Sequence, residues 1–331
     1  MDDAGRDRPG LPAGPHPTVG PGSERLPRWP GPVLIVLGAL LALGSLGAAG
    51  LVEREQLVLQ DRSLLLWALV MGGLLFVAGL VYAALRQLRI RRHLPPERYR
   101  GPGVLLLLVM VLVAAGILTT PFGADAAALL TGDGELSLAG AFVLLVSTQA
   151  ALLAVSWLFV FRPRALAGWP SWSGPNPGAA LLAGLKWGLL AWVGATAAAA
   201  IVVLVLEQLG ISADPQAAER ALQNIDPWLA VLAVVILAPI AEELFFRGVV
   251  FNAWLREAGP RVAYVGSSLL FAVIHLSLAA VVPIFLLGLA LAWIYRRTGN
   301  LLAPIAMHAT VNGISVGLAL LIRFEIVPIP V

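Results

Sequence analysis

The sequence predicts an all-α fold, a polytopic transmembrane helical bundle of about nine helices, with eight to ten as the bracket. Three observations predict it. The 331 residues are 59% hydrophobic and 12% charged, and mean hydropathy is +0.87. Apolar runs of about 18 residues or more recur along the chain, the length a helix needs to cross a bilayer. The arginines also cluster in alternate gaps between those runs. Inside a bilayer only helices and closed barrels satisfy the backbone, and these runs are too long and continuous for barrel strands.

Residues 1–32 carry eight prolines and six glycines and are expected to be a disordered tail. They do not read as a signal peptide, because the first apolar run begins too late and no small-residue cleavage site is evident. The expected spans are 33–52, 64–85, 103–118, 138–161, 179–206, 228–255, 262–280, 283–295 and 301–322. The eighth is short, about 20 Å at 1.5 Å per residue. With the tail placed inside and the spans alternating, sixteen arginines fall in inside segments and four in outside segments. Lys186 and Arg247 fall within spans. That bias places the N-terminus in the cytoplasm and the C-terminus outside.

Pro95-Pro96 and the Trp-, Pro- and Gly-rich stretch 168–178 are the strongest breaks. The second divides an N-terminal four-helix block, 33–170, from a C-terminal block, 171–331, whose core is about 228–321. The first block has no mid-membrane carboxylate or histidine. Its one mid-span polar cluster is Ser147, Thr148 and Gln149, which helix-to-helix hydrogen bonding explains more cheaply than chemistry. With no cysteine, disulfides, thiolate zinc sites, iron–sulfur clusters and cysteine nucleophiles are excluded. No basic face interleaved with aromatics points to nucleic acid.

The chemistry concentrates in the second block. Glu242, Glu243 and Arg247 follow fourteen uncharged residues, Trp228 to Ala241. Each charge inside a bilayer costs roughly 2.5–3.5 kcal/mol on insertion scales. Glu243 and Arg247 are four apart and can pair on one helix face. A structural ion pair accounts for those two but leaves Glu242, about 100° away, without a partner. Two of the four histidines, His275 and His308, also fall in apolar runs. A membrane histidine alone is as often a helix-to-helix hydrogen bond as a site.

Hairpin counting brings them together. Glu242 lies 17 residues before Gly259, and His275 lies 15 after Pro260. A further turn near Val282 returns the chain past that level near Gly288, whose missing side chain leaves room beside it. The ninth span regains the level at about His308. Phe271 and Asn312 lie one turn from His275 and His308 on the same faces. A carboxylate, two imidazoles and an amide around a cavity are the parts of a hydrolase: the glutamate deprotonates water, with or without a metal, and the donors hold an oxyanion. Gly313-Ile314-Ser315-Val316-Gly317 matches the serine-hydrolase elbow in letters only, because it lies within an apolar helix rather than on a strand-to-helix turn. The zinc motif H-E-x-x-H is absent. Lys186, near a span end, snorkels.

Glu242-Glu243-x-x-x-Arg247, then Phe271-x-x-x-His275, then His308-x-x-x-Asn312, each on its own hydrophobic segment, together resemble the CPBP family. These are the CAAX proteases and bacteriocin-processing enzymes, also called the Abi or type II CAAX prenyl endopeptidase family. The turn Arg296-Arg297-Thr298-Gly299-Asn300-Leu301 is similar as well. The resemblance covers under a third of the chain and gives the first four helices no signature. It implies that Glu242 activates water with His275, that His308 and Asn312 stabilise the oxyanion, and that Glu243 and Arg247 shape the site. It leaves open a metal-free glutamate mechanism or one divalent metal such as zinc, for which Glu242, His275 and His308 would be three ligands with a fourth position free.

The expected function is therefore an intramembrane endopeptidase, its site reached from the cytoplasmic half. Its partners would be the lipid bilayer and a membrane-associated peptide or protein, and its setting a bacterial cell membrane. Two rivals from other classes are a non-catalytic membrane immunity or assembly module, and a proton-coupled transporter using Glu242 and the histidines as a relay.

Overall fold

The computed structural model describes residues 27–53, 63–119, 138–167, 176–211, 226–324 and 326. The expected disordered tail lies almost wholly outside them. Among the described residues there are nine helices and no strand. They are α1 (Pro30–Glu53), α2 (Ser63–Arg91), α3 (Val104–Thr119), α4 (138–161), α5 (Pro177–Gln208), α6 (Pro227–Glu257), α7 (Pro260–Val273), α8 (Leu278–Thr298) and α9 (Leu302–Arg323). Seven are long and apolar enough to cross a membrane, while α3 and α7 are shorter apolar helices. The chain is a multi-pass integral membrane protein.

Local chemistry sets the ends that matter. The Asp226 carboxylate accepts from the Trp228 N–H at 2.9 Å, with Pro227 as the first helical residue, so α6 starts on a capped turn. Gly259, at φ 87°, makes the tight reversal into Pro260 of α7. Gly299, at φ 64°, ends α8 in the left-handed region.

Three spans differ from expectation. Helix α2 runs on through Arg91, because arginine and glutamine are good helix formers and cations suit a helix C-terminus. Helix α7 stops at Val273, and α8 starts at Leu278, with Ser277 accepting from the Ala280 N–H at 3.3 Å. Pro283, read as the first residue of a short helix, lies inside a 21-residue one. The turn therefore falls at 274–277 rather than near Val282.

Helix α6 is the centre of the bundle. It touches α4, α7, α8 and α9, while α1 pairs with α2, α3 with α4, α5 with α9 and α7 with α8. Every residue from Ala241 to Phe251 is buried, the charged Glu242, Glu243 and Arg247 included. One continuous hydrophobic cluster runs from Leu107 and Leu152 through Phe245 and Val249 to Leu291 and Met307, so the N-terminal helices share a core with the motif-bearing ones. Leucines of α1 and α5 such as Leu40, Leu43, Leu182 and Leu189 face outward, as lipid contact demands.

Helix α9 carries His308 and is held close to α5 by two glycines one turn apart. A methyl at Gly184 would collide with the Ala303 carbonyl, and one at Gly188 would sit 2.6 Å from Thr310 Cβ. Small residues permit this backbone approach without a hydrophobic driving force between helices. Gly184→Leu is expected to push α9 off α5 and cost about 1–3 kcal/mol. A lowered unfolding midpoint of the detergent-solubilised protein, with Gly194→Leu on the open face of α5 as the neutral control, checks this.

Candidate active site

The acidic motif sits on a short α-helical piece of α6, Ala238–Glu243, between two widened stretches with π-type hydrogen bonds, Val231–Leu237 and Leu244–Phe251. Such widenings recur at functional sites because they re-aim side chains on one helix. Two neighbours tie into them. Asn252 Nδ2 donates to the Arg247 carbonyl at 2.7 Å, and Asn312 Nδ2 donates to the Val234 carbonyl at 2.9 Å.

Glu243 and Arg247 are both 0% exposed. Arg247 Nη1 donates to Glu243 Oε1 at 3.0 Å, and Nη2 donates to the Gly288 carbonyl at 3.0 Å. The guanidinium lies 4.7 Å from the centroid of the Phe271 ring, a contact that strengthens when desolvated. Gly288 therefore does not open a space. A methyl there would meet Ser268 Cβ at 2.9 Å, and the glycine's role is to let α7 and α8 close together at the level where its carbonyl receives Arg247.

His308 is buried, and its Nδ1 lies 3.0 Å from the same Glu243 Oε1. A carboxylate oxygen only accepts, so Nδ1 carries the hydrogen, and Nε2 presents a lone pair when that is the ring's one proton. That Nε2 lies 3.9 Å from Glu242 Oε2. The gap between the two atoms is too long for a direct bond.

Glu242 is not without a partner. Its Oε1 accepts from Gln149 Nε2 of α4 at 3.0 Å, and Gln149 is 2% exposed. The sequence reading passed over Gln149 as helix packing. The available signal was an amide in mid-span beside back-bonded Thr148, whose hydroxyl donates to Leu144 O.

His275 lies just past the end of α7, exposed, with Nδ1 at 2.7 Å from the Phe271 carbonyl. By the same reasoning Nδ1–H donates and Nε2 is free. The Phe271 ring stands edge-on to both imidazoles, 5.0 Å from His275 and 5.7 Å from His308. At 14 residues α7 spans about 20 Å, against a hydrocarbon core of about 30 Å. The non-helical stretch 274–277 thus lies at membrane depth, where irregular backbone is tolerated only against protein or water. Leu276, next to His275, has φ 52° and is 91% exposed, the kind of strain that collects at working sites.

The six motif residues are placed as follows. Glu243, Arg247 and His308 form one bonded cluster, and Glu242 lies beside it, 3.9 Å from His308 and bonded to Gln149. His275 reaches it only through Phe271, and the Asn312 amide hydrogen bond goes to Val234. Carboxylate and imidazole nitrogen are suitable zinc donors. Among the described residues, however, no three His, Cys, Asp or Glu side chains are gathered as a metal ion would need. A three-ligand centre on Glu242, His275 and His308 does not fit this arrangement.

Fold and cluster define a class: a multi-pass membrane protein with a carboxylate–imidazole site buried on its central helix. Residues 224–314 match the family model described as type II CAAX prenyl endopeptidase Rce1-like, the family the three motifs resemble. The UPF0177 protein YxdF of Lactococcus lactis is 31% identical over 78 residues, 23% of this chain and 42% of that protein. The protein named "Putative membrane peptidase YdiL" of Bacillus subtilis is 30% identical over 84 residues, 25% of this chain and 34% of that one. An uncharacterized 24.3 kDa protein of Escherichia coli is 31% identical over 141 residues, 38% of this chain and 62% of that one. This chain thus spans less than two thirds of each of these relatives. No solved structure matches.

Arg247→Ala is expected to destabilise the protein by about 3–5 kcal/mol, because it strands Glu243 as a buried lone charge. The double variant Arg247→Met/Glu243→Gln removes both charges and is expected to recover part of that loss. Thermal and denaturant unfolding of the three proteins in one detergent measures it.

Proposed function

We propose that this protein is an intramembrane endopeptidase of the CAAX-protease type, hydrolysing peptide bonds of membrane-associated peptides or proteins by a glutamate-activated water. The observation that carries the reading is the opposition of Glu242 Oε2 and His308 Nε2 at 3.9 Å. Two acceptors at that separation need a species that donates to both. A water about 2.8 Å from each atom does so with an angle of roughly 90° at its oxygen. Held this way, its protons point at two bases and its remaining lone pairs are free to attack.

Glu242 then acts as general base, taking a proton as the water adds to the scissile carbonyl, and returns it to the leaving amine. Gln149 keeps Oε1 occupied, so Oε2 is the oxygen left for the water. His308, oriented by Glu243 through Nδ1, holds the water's second proton. His275, with Nε2 free at the mouth, is placed to contact the substrate or the developing oxyanion once protonated. Asn312 supports the widened stretch of α6 from α9. The name of the Bacillus subtilis relative and the family match both favour peptide-bond hydrolysis over the module and transporter readings.

The test is the purified, reconstituted protein with a quenched peptide library. Glu242→Gln is expected to lose turnover by about 10²–10⁴-fold, the usual worth of a general base. It should keep the wild-type unfolding midpoint, since the amide oxygen still accepts from Gln149. Wild-type protein that folds but cleaves no member of the library in lipid would sink the reading.

Gln149→Met keeps volume and removes the donor. A hydrogen bond to a charged group is worth about 1.5–3 kcal/mol, so kcat is expected to fall by at least about tenfold. KM should stay put, because substrate is not what Gln149 touches. A change confined to KM would assign Gln149 to substrate binding instead.

A further inference from the structure

At the basic end of the bundle the 92–103 connection folds back between α2 and the end of α4. It is pinned at several points. Arg91 Nη1 donates to the Gly101 carbonyl at 2.9 Å and pairs with Glu257 at 2.7 Å. The Arg100 N–H donates to the Ala165 carbonyl at 2.9 Å, and its Nε donates to Leu94 O at 2.9 Å. The Gly103 N–H donates to Gln87 Oε1 at 2.6 Å. Tyr99 is buried beneath the Arg91 guanidinium, 5.8 Å from its ring centroid, and burial pushes its phenol above the ordinary tyrosine range.

These bonds shape a pocket of about 260 Å³ lined by Leu88, Arg89, Arg92, Arg100, Pro163 and Ala165. Three of the six lining residues are cations and none is acidic. Arg91, between them in sequence, has Glu257, but among the described residues no carboxylate lies within ion-pair distance of Arg89, Arg92 or Arg100. Glu97, exposed in the same connection, forms no ion pair with them. Arg92 Nε spends its hydrogen on His93 Nε2 at 2.9 Å, and Arg100 Nε is used as above. Among the described residues, the Nη groups of both, and all of Arg89, have no protein acceptor. Gathering three like charges in a pinned pocket is unfavourable unless an anion joins them.

We propose that this pocket binds the phosphate of an anionic phospholipid at the membrane face that the arginine bias assigns to the cytoplasm. Guanidinium groups match phosphate oxygens in bidentate geometry. The pocket lies where α2 and α4 end and α3 begins, the level of the lipid headgroups, and basic pockets between transmembrane helices on that side take such headgroups. Leu88, Pro163 and Ala165 offer an apolar floor for the glycerol end of the lipid. Free phosphate shares the chemistry but gains nothing from that floor or from the membrane level.

The test is native mass spectrometry of the full-length protein in detergent, titrated with phosphatidylglycerol and, separately, phosphatidylcholine. Two double variants lose the same charge: Arg89→Gln/Arg100→Gln in the pocket, and Arg162→Gln/Arg261→Gln, exposed at the same end outside it. Each arginine that meets the anionic headgroup is worth roughly fivefold in its binding. The pocket pair is expected to weaken phosphatidylglycerol retention by at least about tenfold and leave phosphatidylcholine unchanged, with the control pair near wild type. Equal losses in both pairs would mean diffuse surface charge and overturn the site. Displacement of the lipid by millimolar inorganic phosphate would overturn the lipid assignment in favour of a soluble anion. The readout is binding, so it stands whether or not the protein cleaves peptides.

Discussion

The buried ion pair of Glu243 with Arg247 is the constraint on which the site depends. A lone buried charge is costly; beside Arg247, one oxygen of Glu243 accepts twice. The second donor is His308 Nδ1, so the pair decides which ring nitrogen of His308 bears hydrogen. That choice turns Nε2 into an acceptor and sets it against Glu242. Arg247 spends its other arm on the Gly288 carbonyl and its face on Phe271. The same cation therefore fixes the ring that spaces the two imidazoles.

Water is the scarce reagent in such a place. Apolar helices exclude it, and the helices here are apolar almost throughout. The exception is the short α7, whose end leaves His275 and a strained Leu276 exposed beside the cluster. The buried side is sealed by the aromatic stack of Phe245, Phe246 and Phe271, whose ring centroids are 5.2 and 5.1 Å apart in sequence. The cluster is thus enclosed on one side and borders exposed residues on the other. Burial strengthens the electrostatics around Glu243.

Most of the fold was legible in the sequence because long apolar runs between arginine clusters have few alternatives. The spacing of Glu243 and Arg247 gave their bond directly. What stayed hidden has physical reasons. The 262–295 stretch is apolar on both sides of the turn, so nothing but Ser277 marks where α8 begins, and Pro283 points to the wrong place. Glu242 looked unpartnered because its donor is 93 residues away on a helix with no motif. Gly288 read as space, since sequence cannot distinguish a glycine beside a cavity from one beside another backbone. The hydrogen bond from Asn312 to Val234 depends on a widened helix that no residue pattern announced.

The bond between Gln149 and Glu242 also bears on how the protein is made. Chains enter the membrane from the N-terminus onward. By the time α6 is inserted, Arg247 arrives on the same helix as Glu243, and Gln149 already waits in α4 for Glu242. Neither carboxylate has to remain unsatisfied until synthesis ends. Only the imidazole of His308, 65 residues behind Glu243, comes late. Biogenesis can therefore solvate both acids within the protein first and complete the reactive pair last.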